Sequence, residues 1–333
     1  MKISNLISVS LVALLSSISY VQAATYSNPL EVRNGGDPSI VWHGGWWYMT
    51  ATTWTDVRLR RAKTLNGLKT GESKIIYASD EPSRCCNVWA PELHNVGGTW
   101  YVYFSAGTRP NTDNQRSQVL KGGASPWDAF KFAGTLNTPT WAIDGTRLSI
   151  NNKDYFVYSC WRSDTGANLQ SLCISTMSSP TTLTGGEFLL ASPTASWEKF
   201  GAFPVNEGPF ALYRNGKTFI SFSASFCGSP QYSLGYLTYG GSGDPRQKSN
   251  WKKSGPQFTA ANGNFGTGHN SFFTSPDGNE TWMAYHSTPN SAGSCGDRFA
   301  NAKKIDWNSD GTPKLGSAPA ANQNLAGPRG EPA

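Results

Sequence analysis

Residues 207–225 have the sequence EGPFALYRNGKTFISFSAS, and this stretch decides the fold. A carboxylate opens a short apolar run, an Asn-Gly turn follows, and a run rich in aromatic residues returns. Asn and Gly readily adopt the positive φ angles that tight hairpin turns need, so the pattern predicts two antiparallel strands.

Four other stretches repeat this layout. They are DPSIVWHGGWWYMTATT from Asp37, WAPELHNVGGTWYVYFSAG from Trp89, DGTRLSINNKDYFVYSC from Asp144 and HNSFFTSPDGNETWMAYHS from His269. The five opening residues are 52, 55, 63 and 62 residues apart, and each interval has room for four short strands. Each opening residue is followed after 10 to 13 residues by an aromatic residue of the return strand, namely Trp47, Trp100, Tyr155, Phe219 and Trp282. The repeat predicts an all-β protein, a single-domain five-bladed β-propeller; a large β-sandwich would explain the strands but not their spacing.

The two ends of the chain differ from this repeat. Residues 1–23 combine one charge, an apolar stretch and a small-residue end, which predicts a secretory signal peptide. No later stretch reaches the roughly 18 apolar residues of a membrane span, so we expect an exported, soluble protein without membrane contact. The propeller is predicted over 24–333, with a tail from about 316 that is poor in apolar residues and expected to pack loosely or fray.

The charge pattern indicates a neutral partner. The formal net charge is +6, but the basic residues are scattered, and only 58–63 holds a tight group of them. Nucleic-acid binding would need a broader basic face. Thirteen tryptophans suit a sugar ligand, because aromatic faces pack against the C–H faces of sugars. Most of them are expected in the core, including Trp46, Trp47, Trp100 and Trp282.

Six cysteines in an exported chain are expected to be oxidised. Cys160 and Cys173 flank a hairpin, and Cys227 and Cys295 follow two similar strands, so both pairs are predicted disulfides. Cys85 and Cys86 are adjacent and either bridge each other or stay free; we favour the bridge. A metal site is the poorer interpretation, because no CxxC or His spacing supports one.

The residues that open the repeats carry the functional signal. In a propeller the innermost strands start around a central funnel, so Asp37, Trp89, Asp144, Glu207 and His269 should converge. Each ionisable residue alone has a structural explanation, as a turn residue or a buried histidine, but a shared slot does not follow from unrelated structural roles. Three carboxylates around one funnel should have pKa values that are driven apart, as glycoside hydrolysis requires. Competing residues are Glu92, for which we favour a structural hydrogen bond, and His94, His43 and His286.

At these residues the chain resembles glycoside hydrolase family 43, whose members are five-bladed propellers acting on arabinose- and xylose-containing plant polysaccharides. The motifs that carry the resemblance are GGDPSIV, VWAPELH, AIDGTRL, NEGPFAL and GHNSF. The resemblance implies that Asp37 is the general base, Glu207 the general acid, and Asp144 the residue that tunes and orients the acid. It also implies that His269 lies at the propeller axis, where a calcium or another ion is possible through water, and that Arg298 lies near the sugar. No cofactor is implied for the chemistry.

The substrate prediction is less direct. The first blade and VWAPELH look like the arabinofuranosidase members, which predicts a secreted inverting enzyme that releases α-L-arabinofuranose from neutral arabinan or arabinoxylan. An endo-1,5-α-L-arabinanase and a β-xylosidase remain alternatives, although the length leaves no room for the extra sandwich of many xylosidases. A non-catalytic carbohydrate-binding propeller is a remote alternative, and an adaptor propeller is more remote. Trp89 is the first choice for a wall of the sugar pocket, ahead of Trp54 and Trp161. A monomer is expected, and Asn279 lies in a glycosylation sequon.

Overall fold

A computed structural model describes residues 24–164 and 166–332. The predicted signal peptide lies outside the described residues. In the described part of the chain no helix is long and apolar enough to cross a membrane, and the helices present are short 3₁₀ turns at Asn66–Lys69, Ser196–Glu198 and Lys248–Asn250.

The strands form five antiparallel sheets arranged as the blades of a propeller, as the repeat predicted. Blade one contains Ser39–His43, Trp46–Thr50, Val57–Ala62 and Glu72–Tyr77. Blade two contains Cys86–Val96, Thr99–Gly107, Arg116–Lys121 and Lys131–Thr135. Blade three contains Ala142–Ile150, Lys153–Trp161, Gln170–Ser179 and Thr182–Ala191. Blade four contains Asn206–Arg214, Lys217–Ala224, Ser233–Tyr239 and Trp251–Lys253, and blade five Phe265–Thr274, Thr281–Thr288 and Phe299–Lys304.

The first strand of each blade is its innermost strand. It contacts the first strands of both neighbouring blades, and blade five contacts blade one, so the five strands close an inner ring. The core lies between the blades, because each sheet packs an apolar face against the next. The five return-strand aromatic residues predicted from the spacing are all buried.

Both ends of the chain hold the ring closed. The amide groups of Leu30 and Glu31 donate to the carbonyl of Ala300, which adds the N-terminal segment to the outer edge of blade five. Two further short pairs join Thr25–Tyr26 to Leu325–Ala326 and Asp306–Trp307 to Pro313–Lys314.

The prediction of a loose tail is wrong. The carboxylate of Glu331 accepts hydrogen bonds from the indole of Trp47 and the amide of Leu65, both at 2.5 Å. Leu315 and Ala318 join the apolar cluster between blades four and five. A segment with few apolar residues is therefore fixed by one buried carboxylate and a short strand pair.

The cysteines form the three predicted pairs, Cys85–Cys86, Cys160–Cys173 and Cys227–Cys295. The second of these joins two neighbouring strands of blade three, and the third joins loops of blades four and five. Asn279 is exposed on the hairpin turn of blade five, where its glycosylation stays a prediction.

Candidate active site

A β-bulge interrupts the inner strands where they reach the funnel. The pairing register shifts around residue pairs 90–91, 144–145, 208–209 and 269–270. The first residue of each bulge, and Asp37 just before the strand of blade one, has a left-handed backbone. The φ angles are 57° at Asp37, 46° at Ala90, 56° at Asp144, 55° at Gly208 and 41° at His269. Such angles cost a non-glycine residue on the order of 1–3 kcal/mol and concentrate at functional sites.

This geometry corrects one prediction. The sequence placed Glu207 in the same slot as Asp37 and Asp144, but in blade four the left-handed residue is Gly208. Glu207 stands one residue earlier, as Trp89 does before Ala90 in blade two. The side chain of Glu207 is therefore attached to backbone of a different geometry from that of the two aspartates.

Each bulge frees a backbone amide, and a neighbouring blade supplies its acceptor. The amide of Asp144 donates to Ser105 Oγ at 3.0 Å, and the amide of His269 donates to Ser223 Oγ at 2.7 Å. In the same way, the amide of Ala90 donates to Thr52 Oγ1. These bonds tie the start of each inner strand to the preceding blade, so the funnel residues are held by the ring as a whole.

Asp37 is buried among groups that favour its ionised form. Arg298 Nη1 donates to Oδ1 at 2.6 Å, and Thr52 Oγ1 donates to Oδ2 at 2.5 Å. His269 Nδ1 lies 3.0 Å from Oδ1. Burial opposes ionisation, but the charges of Arg298 and His269 prevail and hold the pKa of Asp37 well below its usual range. Asp37 is therefore a carboxylate at neutral pH.

Glu207 has the opposite environment. Its side chain is half-buried, and burial raises its pKa above the usual value, although His269 and a hydrogen bond from Tyr232 oppose the shift. Tyr232 donates its hydroxyl to Oε1 at 2.8 Å, and Gln170 Nε2 donates to Oε2 at 2.7 Å. Gly268 leaves room for the Tyr232 ring, because a Cβ at this position would lie 2.3 Å from the ring.

Asp144 resembles Glu207 rather than Asp37, because its pKa is also raised. Burial, together with the charges of Glu207 and Asp37, raises its pKa, while His269 opposes the shift. Its Oδ2 accepts the amide of Gly208 at 3.2 Å, and His269 Nδ1 lies 3.9 Å away. Asp144 is thus hydrogen-bonded to the residue that follows Glu207. The pKa values of both carboxyl groups are raised in this part of the funnel.

His269 is buried beside both aspartates. Burial lowers its pKa, but the charges of Asp37 and Asp144 outweigh burial and raise the pKa to about 9. The ring is therefore an imidazolium, and its Nδ1 is committed to Asp37. A protonated ring is a poor cation ligand, and the described residues contain no group of three or more His, Cys, Asp or Glu side chains arranged to hold a metal. The side chains fit an ion pair better than a metal centre, and the water-mediated axial ion stays a prediction.

His286 completes the cluster from the second strand of blade five. Its Nδ1 lies 3.2 Å from both the backbone nitrogen and Oδ1 of Asp37. Burial and the nearby Arg298 lower its pKa to about 4, so the ring is neutral. The ring also stacks on Tyr232, with centroids 5.4 Å apart and planes 12° apart. Tyr232 and His286 therefore connect Glu207 with Asp37 through buried contacts.

Three of the four predicted sugar-binding residues, Trp54, Trp89 and Arg298, lie near Asp37, whereas Trp161 pairs with Gln170 in blade three. Trp54 and Trp89 form an edge-to-face pair with centroids 5.8 Å apart, next to the Thr52–Ala90 hydrogen bond. Arg298 reaches the cluster, but its guanidinium donates to Asp37 and packs on Gly36, where a Cβ would lie 2.4 Å from it. A sugar-binding role for these three residues stays a prediction.

Glu92 has the structural role predicted for it. Its Oε2 lies 2.7 Å from His94 Nε2, and the side chain is buried.

Three residues of the cluster were missed at the level of sequence, namely Thr52, Gln170 and Tyr232, and His286 was named only as a competing residue. A further sequence signal for His286 existed. In blades two, three and four the return strand has a serine directly after an aromatic residue, in FS, YS and FS at 104–105, 158–159 and 222–223, and blade five has YH at 285–286. Histidine thus replaces serine in a slot that contacts the next bulge. No comparable pattern marks Gln170 or Tyr232.

The arrangement has two carboxyl groups of opposite protonation preference facing one funnel. A carboxylate held ionised can activate a water molecule, and a carboxyl group with a raised pKa can deliver a proton. Acid and base of this kind are what glycosidic bond cleavage needs.

Comparisons with known proteins agree with this chemistry. Residues 26–313 match the family model described as "Glycosyl hydrolases family 43". The chain is 35% identical to an extracellular exo-alpha-(1->5)-L-arabinofuranosidase of Streptomyces avermitilis, over 88% of this chain and 64% of that protein. It is 38% identical to a protein of the same description from Streptomyces chartreusis, over 79% of this chain and 82% of that one.

A solved structure is also similar. The crystal structure of an alpha-L-arabinofuranosidase from Lactobacillus brevis superposes with a TM-score of 0.82, at 31% identity, over 90% of this chain and 98% of that chain. The chain spans slightly less than two thirds of the length of the S. avermitilis relative.

Proposed function

The chain belongs to glycosyl hydrolase family 43, and on that premise we propose that it is an inverting enzyme that releases terminal α-L-arabinofuranosyl residues from arabinan or arabinoxylan. The proposal is supported by relatives named as arabinofuranosidases that cover most of this chain. One observation carries the chemistry: Asp37 is ion-paired with Arg298 and His269, whereas Glu207 has neutral partners and a raised pKa.

In the proposed reaction Asp37 is the general base. Its low pKa keeps it ionised, and it takes a proton from a water molecule as that water attacks the anomeric carbon. Glu207 is the general acid and gives its proton to the glycosidic oxygen as the bond to the anomeric carbon breaks. Water adds from the face opposite the leaving group, so the configuration inverts. The proton balance closes because Asp37 gains the proton that Glu207 loses, and solvent exchange restores both groups.

Asp144 and His269 support this pair. The charge of Glu207 contributes to the raised pKa of Asp144, so simultaneous ionisation of the two carboxyl groups is disfavoured, and the bond of Asp144 to Gly208 fixes the backbone beside the acid. His269 neutralises part of the charge of the two aspartates in a buried site. The chemistry uses side chains and water, and no cofactor takes part in it.

The proposed setting is extracellular. The two Streptomyces relatives are named as extracellular proteins, and three disulfides suit an oxidising compartment. The predicted signal peptide at 1–23 would direct the export, and a neutral arabinose-containing polysaccharide is the proposed partner.

The experiment that tests this function is a product analysis. The enzyme is incubated with linear arabinan, arabinoxylan and xylo-oligosaccharides, and products are followed by chromatography and by proton NMR of the first anomer formed. We expect arabinose alone, released first as the β-anomer. Oligosaccharide products would indicate an endo-arabinanase, xylose a xylosidase, and binding without any product a carbohydrate-binding propeller; each would overturn the proposal.

A further inference from the structure

A row of aromatic rings lies on the rim of blades three and four. Trp141, Trp161, Phe203 and Phe226 follow one another with ring centroids 5.4, 5.8 and 5.1 Å apart. We propose that these four rings, called here the aromatic platform, bind the polysaccharide chain that carries the residue to be cleaved. The inference rests on the proposed function and deepens it, because it assigns a binding surface for the leaving group.

Strand register places the platform beside the general acid. Trp161 pairs with Gln170 across the second and third strands of blade three. The side chain of Gln170 donates to Glu207 Oε2, and its backbone bridges to Val205, two residues after Phe203. The two central rings of the platform thus stand one contact away from the carboxyl group that we propose as the proton donor.

The position of the platform beside the general acid indicates which part of the substrate it contacts, namely the leaving group. A general acid must lie within hydrogen-bond reach of the glycosidic oxygen it protonates, so the atoms beyond that oxygen extend past Glu207. The other aromatic pair, Trp54 and Trp89, lies beside Asp37, where the water attacks. The platform therefore extends the proposed active site on the side where the polysaccharide chain of the leaving group lies.

The rings are both accessible and fixed. Phe203 is 37% exposed, and the other three are half-buried. Trp141 Nε1 donates to the carbonyl of Thr112 at 2.8 Å, and Phe226 is followed by the Cys227–Cys295 disulfide. A surface that is already ordered loses little conformational freedom when a ligand binds.

The chemistry of the surface favours a neutral glycan. On blade one, cationic side chains cover Trp46, with Arg61 and Lys63 over its ring. Within 24–164 and 166–332, no Lys or Arg side chain lies over a ring of the platform. Uncovered aromatic faces pack against the C–H faces of sugar rings, and a row of them suits successive uncharged pentose units.

The test compares a long substrate with a short one. For each variant kcat/KM is measured on arabinan or arabinoxylan and on an aryl α-L-arabinofuranoside, whose leaving group is a single small ring. The ratio of the two values should fall about two- to tenfold in Phe203→Ala and in Trp161→Ala, since an aromatic contact contributes about 0.5–1.5 kcal/mol. Trp161→Phe retains a ring and should keep most of the ratio.

Phe132→Ala is the matched control. Phe132 is 38% exposed on the outer strand of blade two, outside the platform, and its loss should leave the ratio at the wild-type value. An unchanged ratio in both alanine variants, or an equal fall in Phe132→Ala, would overturn the inference. If Trp161→Ala does not fold, Phe203→Ala decides, because its exposed ring contributes less to packing.

Failure of the proposed function has a different signature. A wild-type enzyme that cleaves neither substrate would overturn the arabinofuranosidase assignment and would leave the platform to be tested by binding. In affinity electrophoresis through gels that contain arabinan or arabinoxylan, wild-type protein should then be retarded and Phe203→Ala less so. Equal migration of the two proteins in every gel would overturn the platform as well.

Discussion

Arg298 donates a hydrogen bond of 2.6 Å to the carboxylate of Asp37 across 261 residues of sequence. Both side chains are buried, so this ion pair is the strongest single reason that the proposed base stays ionised. Glu207 has no comparable cation among its described hydrogen-bond partners, which are Gln170 and Tyr232. The contrast between the two environments gives the first predictions.

Arg298→Gln should raise the pKa of Asp37. Because the base must be ionised, activity is lost as the pH falls through that pKa, and the acidic limb of the kcat/KM profile should move up by about 1 to 3 pH units. Arg246→Gln, which removes an arginine from the half-buried pair with Asp244 outside the funnel, is the control and should leave the limb in place. An acidic limb that stays put in Arg298→Gln would contradict the assignment of the base.

Tyr232→Phe should move the alkaline limb of the kcat/KM profile. The hydroxyl of Tyr232 stabilises the ionised form of Glu207, so its removal raises the pKa of the acid further. The acid works only while protonated and fails as the pH rises through its pKa, so the alkaline limb should shift to higher pH by about one unit. Tyr236→Phe removes a hydroxyl from the same blade and serves as control. A shift of the alkaline limb to lower pH would count against the proposed role of Glu207.

Glu207→Ala and Asp37→Ala should differ in their dependence on the leaving group. Loss of the acid should slow polysaccharide cleavage by about 10²- to 10⁴-fold and an activated aryl substrate much less, because its leaving group needs little protonation. Loss of the base should slow both substrates alike. Steady-state kinetics on the two substrates check this division, and equal losses in the Glu207 variant would argue against it.

Ala90→Gly should stabilise the protein. Ala90 has a φ angle of 46°, which glycine adopts without a Cβ penalty, and its side chain makes no polar contact. The gain should be about 1 kcal/mol, measured as a rise in the midpoint of thermal or denaturant unfolding. Ala211→Gly, in a regular inner strand, should instead destabilise. A fall in stability of the Ala90 variant would show that the lost burial of the methyl group and the added entropy of the unfolded chain outweigh the strain.

Glu331→Gln should reduce the pH dependence of stability. Burial raises the pKa of Glu331 to about 7, so the folded state binds this proton more tightly than the unfolded chain does. The sign follows: stability falls as the pH rises from about 4.5 through 7. The glutamine keeps an acceptor for Trp47 and Leu65 without the charge. Wild type should lose a few degrees of melting temperature between pH 5 and 8 beyond what the variant loses; equal losses would contradict the shift.

The spacing of repeats could be predicted because it is a property of the sequence. Asp37, Asp144 and His269 open their units at nearly even intervals, and a propeller must bring such residues to one funnel. The one-residue displacement of Glu207 could not be predicted in the same way, because bulge register is fixed by contacts between blades. Nothing in the residue type of Ala90 indicates a left-handed angle, since alanine disfavours it.

Partners that are distant from Glu207 in sequence were harder still. Gln170 lies in blade three and meets Glu207 only after the sheets are packed, and Tyr232 lies just before the third strand of blade four. The tail misled the prediction for a related reason: its composition is poor in apolar residues, yet one carboxylate, Glu331, anchors it. Composition reports how much surface a segment can bury, but not which single polar group finds a buried partner.

Closure of the inner ring also determines when the side chains of the proposed active site come together during synthesis. Asp37 is made near the start of synthesis, whereas His286 and Arg298, which define its charge, belong to the last blade. A nascent chain carries Glu207 and its partners Gln170 and Tyr232 well before Asp37 has the partners that come from the last blade. In the proposed mechanism, hydrolysis can therefore begin only after the two ends of the chain have met, because a chain without its last blade would hold the proposed acid but not the charged partner of the proposed base.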